Sequence, residues 1–280
     1  MTPQARGLWP KSELAKRVLS SLALAAFAFI SVWYGDVVFA VIWGVAALAV
    51  WREWATIIGL DGRWSSPVFW IGSVGIVSSA AASFFALPFV WLAFVPAALA
   101  GVVLAIWCSP PKTNWLWPLA GPLYAVAIIL GPLVLRGRSD DGLMIVVWLF
   151  LVVWISDIGA FFAGRTIGGP KLWPSISPKK TWSGSIGGLL AGTLVPVGFV
   201  LAMQAQFGVV WLTGGPLFAL TLLTAIMAEG GDLFESAMKR RFSVKDSGDL
   251  IPGHGGMMDR LDSYVAAALF VFMAIECLGI

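Results

Sequence analysis

Residues 142–162 run GLMIVVWLFLVVWISDIGAFF, with Asp157 as their only charge. A bilayer crossing needs about 20 mainly apolar residues, and a strand of a soluble core is far shorter. This stretch therefore reads as a membrane helix. The same reading extends outward in both directions, to apolar spans near 18–34, 37–51, 67–86, 88–107, 115–135, 184–204, 208–228 and 263–279. The second span holds only about fifteen residues before Arg52, so the expectation is about nine spans, with eight as the alternative. Composition agrees. Of 280 residues, 59% are hydrophobic and 12% charged, against about 25% charged in an ordinary soluble domain. The mean hydropathy is +0.88. The fold class expected is an all-α, polytopic integral membrane protein. It divides into N-terminal transmembrane helices (1–140) and a C-terminal catalytic transmembrane region (141–280) within a single structural unit.

The basic residues set the orientation. With the N-terminus in the cytoplasm, the inside receives Arg6, Lys11, Lys16, Arg17, Arg52, Arg63, Lys112 and the basic residues from Arg165 to Arg260. Only Arg136 and Arg138 fall outside. The early apolar run follows Lys16-Arg17 and has no good small-residue cleavage site, so it reads as a retained first helix and not a cleaved signal. Cys108 and Cys277 lie far apart, and His254 is the single histidine. Together they exclude a Cys/His metal cluster and a disulfide framework.

Two polar segments, both on the cytoplasmic side, hold what chemistry the chain has. The first, 157–184, contains Ser177-Pro178-Lys179-Lys180-Thr181 ahead of a helix starting near Gly184. Hydroxyls and cations before a helix N-terminus have the layout of a phosphate site. Lys-Lys beside a membrane also serves as a plain topology anchor. Gly184, Gly187 and Gly188 suit close helix packing. The second segment, 229–262, interleaves Glu229, Asp232, Glu235, Asp246, Asp249, Asp259 and Asp262 with Lys239, Arg240, Arg241, Lys245 and Arg260. On a helical reading Asp232, Glu235 and Ser236 share one face, as do Asp259 and Asp262. Hard carboxylate oxygens of this kind suit Mg²⁺ with substrate phosphates, and lysine and arginine suit the remaining phosphate charge. A solvated loop obeying the positive-inside rule is the alternative, but it explains Asp259 and Asp262 at the mouth of a span poorly. No Walker A sequence occurs, and no Gly-x-Gly-x-x-Gly follows a strand.

Ser236-Ala237-Met238-Lys239-Arg240, then Lys245-Asp246, then His254-Gly255-Gly256-Met257-Met258-Asp259-Arg260-Leu261-Asp262 resembles the signature of the phosphatidate cytidylyltransferase family, bacterial type. Gly231-Asp232-Leu233-Phe234-Glu235 and the segment Ser177 to Gly184 fit the same family. Ser183 is a departure, standing where members more often have Glu. The first 140 residues match only as apolar spans. The resemblance implies a nucleotidyltransferase of phospholipid biosynthesis: CTP and phosphatidic acid give CDP-diacylglycerol and pyrophosphate with Mg²⁺, a second cation being an option. The enzyme would be a multi-pass protein of the plasma (inner) membrane with its site on the cytoplasmic face. A lipid phosphate is already largely dianionic near pH 7. It needs charge neutralisation and alignment more than a strong base.

On that resemblance Asp232 and Asp259 lead as metal ligands, followed by Asp246 and Asp262. Lys239, Arg240 and Arg260 bind phosphates, with Ser177, Lys179, Lys180 and Ser236 completing the shell. His254 is a phosphate donor or proton carrier, or simply a turn residue. Asp157 orients a cation such as Lys179. Membrane lipids surround the protein, no nucleic acid is expected, and the apolar surface is compatible with a homodimer. The rival readings are a CTP-dependent lipid kinase, which would transfer the γ-phosphoryl group, and a secondary transporter. A transporter would place charges near the bilayer midplane. The first five spans carry almost none.

Overall fold

A computed structural model describes residues 11–83, 90–108, 113–137, 141–208, 211–251 and 255–279. Among them run nine α-helices: α1 (Lys11–Tyr34), α2 (Asp36–Ile57), α3 (Pro67–Ser83), α4 (Val95–Trp107), α5 (Leu116–Arg136), α6 (Gly142–Thr166), α7 (Trp182–Phe207), α8 (Gly214–Arg241) and α9 (Met258–Leu278). Each expected span finds its helix in order. Six of them, α2 and α5 to α9, are long and apolar enough to cross a membrane. The protein is thus built as a multi-pass membrane protein. Three shorter apolar helical stretches accompany them: Ala23–Tyr34, Pro67–Ser83 and Leu92–Trp107.

Three expectations need correcting. The second span does not stop before Arg52. The helix carries Arg52 and Glu53 inward and ends at Ile57, because Glu53 is satisfied by partners from elsewhere in the chain. The eighth span, placed at 208–228, starts later and runs further: its helix covers Gly214–Arg241 and includes the helical face of Asp232, Glu235 and Ser236. It continues for 28 residues in all, about 42 Å at about 1.5 Å per residue. That exceeds the hydrocarbon thickness of about 30 Å, so its polar last turns project beyond the apolar layer. Finally, the chain is not purely helical. Between α6 and α7 lies an antiparallel hairpin of β1 (Lys171–Trp173) and β2 (Ser177–Thr181), in which Lys171 faces Thr181 and Trp173 faces Ser177.

The buried axis is α5. In its apolar stretch 72% of residues are enclosed, against 28% for α7, so α5 is the centre and α7 is at the rim. Tryptophans fill the interior, and buried indole N–H groups must find acceptors. Trp43 donates to Ser31 Oγ, Trp51 to the Phe69 carbonyl, Trp54 to the Trp117 carbonyl and Trp148 to Thr221 Oγ1. The outside is as apolar as the inside: Phe27, Val41, Val74, Ile106, Leu190 and Leu194 are exposed. Such a surface suits lipid and not water. α6 and α7 lie against each other through small residues. A Cβ at Gly188 would come within 2.9 Å of the Ser156 carbonyl oxygen, so the expected packing role of this glycine is realised.

The helices alternate in direction, which gathers the polar ends. At one end Arg136 Nε donates to the Val32 carbonyl at 2.7 Å. A cation there complements the C-terminus of α1. At the other end meet the C-termini of α2, α6 and α8, the N-termini of α7 and α9, and the hairpin.

Candidate active site

Those converging ends enclose a cleft of about 830 Å³, lined by Asp157 from α6, Asp232, Glu235 and Lys239 from α8, Lys245, Asp246 and Gly255 from the connecting loop, and Asp259, Arg260, Asp262 and Ser263 from α9. The crossing of α8 and α9 needs a glycine. A Cβ at Gly231 would stand 2.5 Å from the Asp262 carbonyl oxygen. Without that close approach, the carboxylates of the two helices could not meet.

They do meet. One oxygen each of Asp232, Glu235 and Asp262 lies within 4.8 Å of the others. Glu235 is 1% exposed, and its Oε1 is buried with no hydrogen-bond partner. Charged groups this close repel, and an unpaired buried acceptor is costly. Two lysines reach the triad. Lys180 from β2 reaches Asp232 Oδ2 at 2.8 Å, and Lys239 reaches Glu235 Oε2 at 3.0 Å. Ser236 Oγ donates to Asp232 Oδ1 at 3.3 Å. An acidic cluster with hard oxygens and an unsatisfied lone pair can hold a metal ion.

Asp259, one turn before Asp262, has a different environment. Its Oδ1 accepts from Lys239 Nζ at 2.6 Å. Its Oδ2 accepts from Ser247 N at 3.0 Å and Gly256 N at 2.9 Å, and it lies 3.0 Å from Ser247 Oγ, whose single proton it shares with Glu53 Oε2. This carboxylate is saturated by donors and holds Ser247 and Gly256 against the start of α9. It stands outside the triad, as does Asp246, which lines the cleft from the loop. Lys239 is thereby fixed between two acids.

The hairpin contributes through its backbone as well as Lys180. Thr181 caps α7, its Oγ1 accepting from Gly184 N at 3.1 Å. Ser183 Oγ donates to the Gly168 carbonyl, closing the loop before β1. Arg240 Nε donates to the Ile176 carbonyl at 3.3 Å, tying the end of α8 to the hairpin turn. Ser177 and Lys179 lie on β2 without being part of the cleft wall, and Lys179 is exposed. Asp157 is on that wall, in Coulomb range of Asp232, Lys180 and Arg260. His254 lies outside the described residues.

Sequence reasoning passed over three contributors. Glu235 was read only as part of an acidic helical face, although its spacing from Asp232 already brought it there. Tyr124 of α5 is half-buried, with an enclosed hydroxyl lacking a partner, and its ring packs 5.1 Å from Trp54 and 6.2 Å from Phe234 beside the triad. Nothing in its apolar surroundings in sequence marks it. Glu53 of α2 lies just past the expected span end and was not singled out. It is 2% exposed and accepts from Met257 N at 2.8 Å, Met258 N at 2.8 Å and Ser247 Oγ at 3.1 Å. A carboxylate between Trp51 and Trp54, inside an apolar helix, was the available signal.

The model of the Cytidylyltransferase family matches residues 15–278. The chain is 38% identical over 269 residues, 94% of each protein, to the phosphatidate cytidylyltransferase of Brucella suis biovar 1 (strain 1330). It is 43% identical over 145 residues, about half of each, to the phosphatidate cytidylyltransferase of Staphylococcus haemolyticus (strain JCSC1435). With nearly the whole length matched, the chain belongs to the cytidylyltransferase family.

Proposed function

We propose that the protein is a phosphatidate cytidylyltransferase that joins CTP and phosphatidic acid to form CDP-diacylglycerol and pyrophosphate. One observation carries the reading of the site. The Asp232, Glu235 and Asp262 carboxylates converge beside Lys180 and Lys239 in the wall of a polar cleft. An oxygen of the lipid phosphate forms a bond to the α-phosphorus of CTP, and the α–β anhydride bond breaks to release pyrophosphate. No proton need be removed from a largely dianionic phosphate. The residues therefore neutralise and align. An ammonium has three donors. Two on Lys239 are committed to Asp259 and Glu235, which aims the third at a phosphate oxygen. Lys245 and Arg260 supply further cationic contacts on the cleft wall, and Ser236 and Lys180 shape the Asp232 side. Arg240, Ser177 and Lys179 act at the hairpin edge.

A divalent cation fits the triad, since the lone pair of Glu235 Oε1 is unsatisfied and all three ligands are hard oxygens. We assign Mg²⁺ to Asp232, Glu235 and Asp262, with Asp246 within reach of a second cation and Asp259 organising the loop. The ion would offset negative charge on the phosphates. Orientation follows the basic residues: a cytoplasmic N-terminus, nine passes, and the site on the cytoplasmic face of the inner membrane. Residues 1–140 and 141–280 act as one unit, and a homodimer remains compatible with the apolar surface.

The test is purified protein in mixed micelles with phosphatidic acid, Mg²⁺ and CTP labelled at the α- or γ-phosphate. Entry of α label into lipid with release of pyrophosphate is expected. Entry of γ label would make the protein a lipid kinase and overturn the reading.

A further inference from the structure

Glu53 sits on α2, in the half of the chain where the family signature is absent, yet it ends among the signature residues. Its carboxylate has donors on both oxygens. Met257 N reaches Oε1, while Met258 N and Ser247 Oγ reach Oε2. The first turn of α9 has no cap from its own neighbourhood, and Met257 at the N-cap position makes no side-chain bond. Glu53 supplies that cap from 204 residues away. The negative charge also complements the helix N-terminus. Its sequence neighbour Arg52 is turned over the Trp64 ring at 5.3 Å. The loop is built around the Glu53 carboxylate. A Cβ at Gly256 would lie 2.6 Å from Glu53 Oε2 and 2.0 Å from Ser247 Oγ.

The network runs further than a cap requires. Ser247 Oγ lies 3.1 Å from Glu53 Oε2 and 3.0 Å from Asp259 Oδ2. Asp259 Oδ1 holds Lys239 at 2.6 Å, and Lys239 holds Glu235 at 3.0 Å. A continuous chain of bonds thus joins α2 to the carboxylate triad.

We propose that Glu53 is a positioning residue for cytidylyl transfer, setting the place of Lys239 through Ser247 and Asp259. The inference rests on the reaction proposed above. Glutamine at 53 is isosteric, but its NH₂ would face an N–H donor, so the clamp fails without a change of volume. Aspartate is short by one C–C bond, about 1.5 Å.

The test compares wild type, Glu53→Gln, Ser247→Ala, the double variant and Glu276→Gln as a distant control. Each is assayed with α-labelled CTP, by thermal unfolding and by amide hydrogen exchange. In Glu53→Gln, kcat and kcat/KM should fall together by about 10- to 100-fold, with faster exchange at Met257 and Met258. Ser247→Ala should share that loss, and the double variant should be no worse than Glu53→Gln alone. The control should behave as wild type. A folded Glu53→Gln protein with wild-type kcat, or losses that simply multiply in the double variant, would overturn the proposal. Should Glu53→Gln not fold, Ser247→Ala decides, and full activity in it counts against the proposal. An inactive wild type would instead sink the reaction itself, and the positioning role with it.

Discussion

Asp259 and Asp262 sit one helical turn apart on α9, yet one is saturated and the other is crowded. Asp259 accepts from Lys239, Ser247 N and Gly256 N, and shares the Ser247 hydroxyl proton with Glu53. Asp262 accepts from its neighbouring amide, Ser263 N, and faces Asp232 and Glu235. The first therefore lowers the energy of the fold, whereas the second raises it until charge is brought in from outside. Sites that bind ions or phosphates commonly show this imbalance. Residue type and distance along the chain do not separate the two. Their partners do.

The sharpest way to break this contrast is Asp262→Asn. We expect α-label transfer to fall by at least about 100-fold while the thermal midpoint holds or rises, since like-charge crowding is relieved. Transfer within threefold of wild type would remove Asp262 from the site. Asp259→Asn should do the reverse on the stability axis. Losing charge-assisted bonds at a largely buried carboxylate costs about 2–3 kcal/mol, read as a lowered unfolding midpoint in detergent. Activity would fall too, because Lys239 loses its anchor. A third comparison uses the cation. Mg²⁺ at ten times its Kd should stabilise wild type by about 1.4 kcal/mol. Asp259→Asn should keep that protection if it folds, and Asp262→Asn should lose it. Protection in the opposite pattern would exchange the two roles. The smallest effect is expected at Arg240→Ala. Its guanidinium is exposed and makes one 3.3 Å bond to the hairpin, so stability should change by no more than about 0.5 kcal/mol, and transfer by less than tenfold.

Much of the site was legible. Asp232, Lys239, Asp246, Asp259, Arg260 and Asp262 were singled out on the family resemblance, within segments that charge placement had already marked, and all line one cleft. Helical spacing put Asp232 and Ser236 on one face, and the 3.3 Å bond between them follows. What spacing could not give was rank. Asp259 and Asp232 stood first as metal ligands, yet the converging triad is Asp232, Glu235 and Asp262. Lys179 and Lys180 were interchangeable on paper. Alternation along β2 turns one out to solvent and the other 2.8 Å from Asp232, because successive strand residues point to opposite sides. Glu53 and Tyr124 were out of reach because both lie in the half that reads only as apolar spans.

By itself the sequence determined the class of protein, its helices and the end of the bundle that carries chemistry. Long apolar runs and the placement of charge are local properties, and the bilayer imposes its own length on them. Only the tertiary structure decided which carboxylates meet, which one is neutralised by donors, and that α2 reaches into the site. Those outcomes depend on close approaches such as Gly231 against Asp262 and Gly256 against Glu53. They join residues as far as 205 positions apart, and pairwise distance is a property that no stretch of chain contains alone.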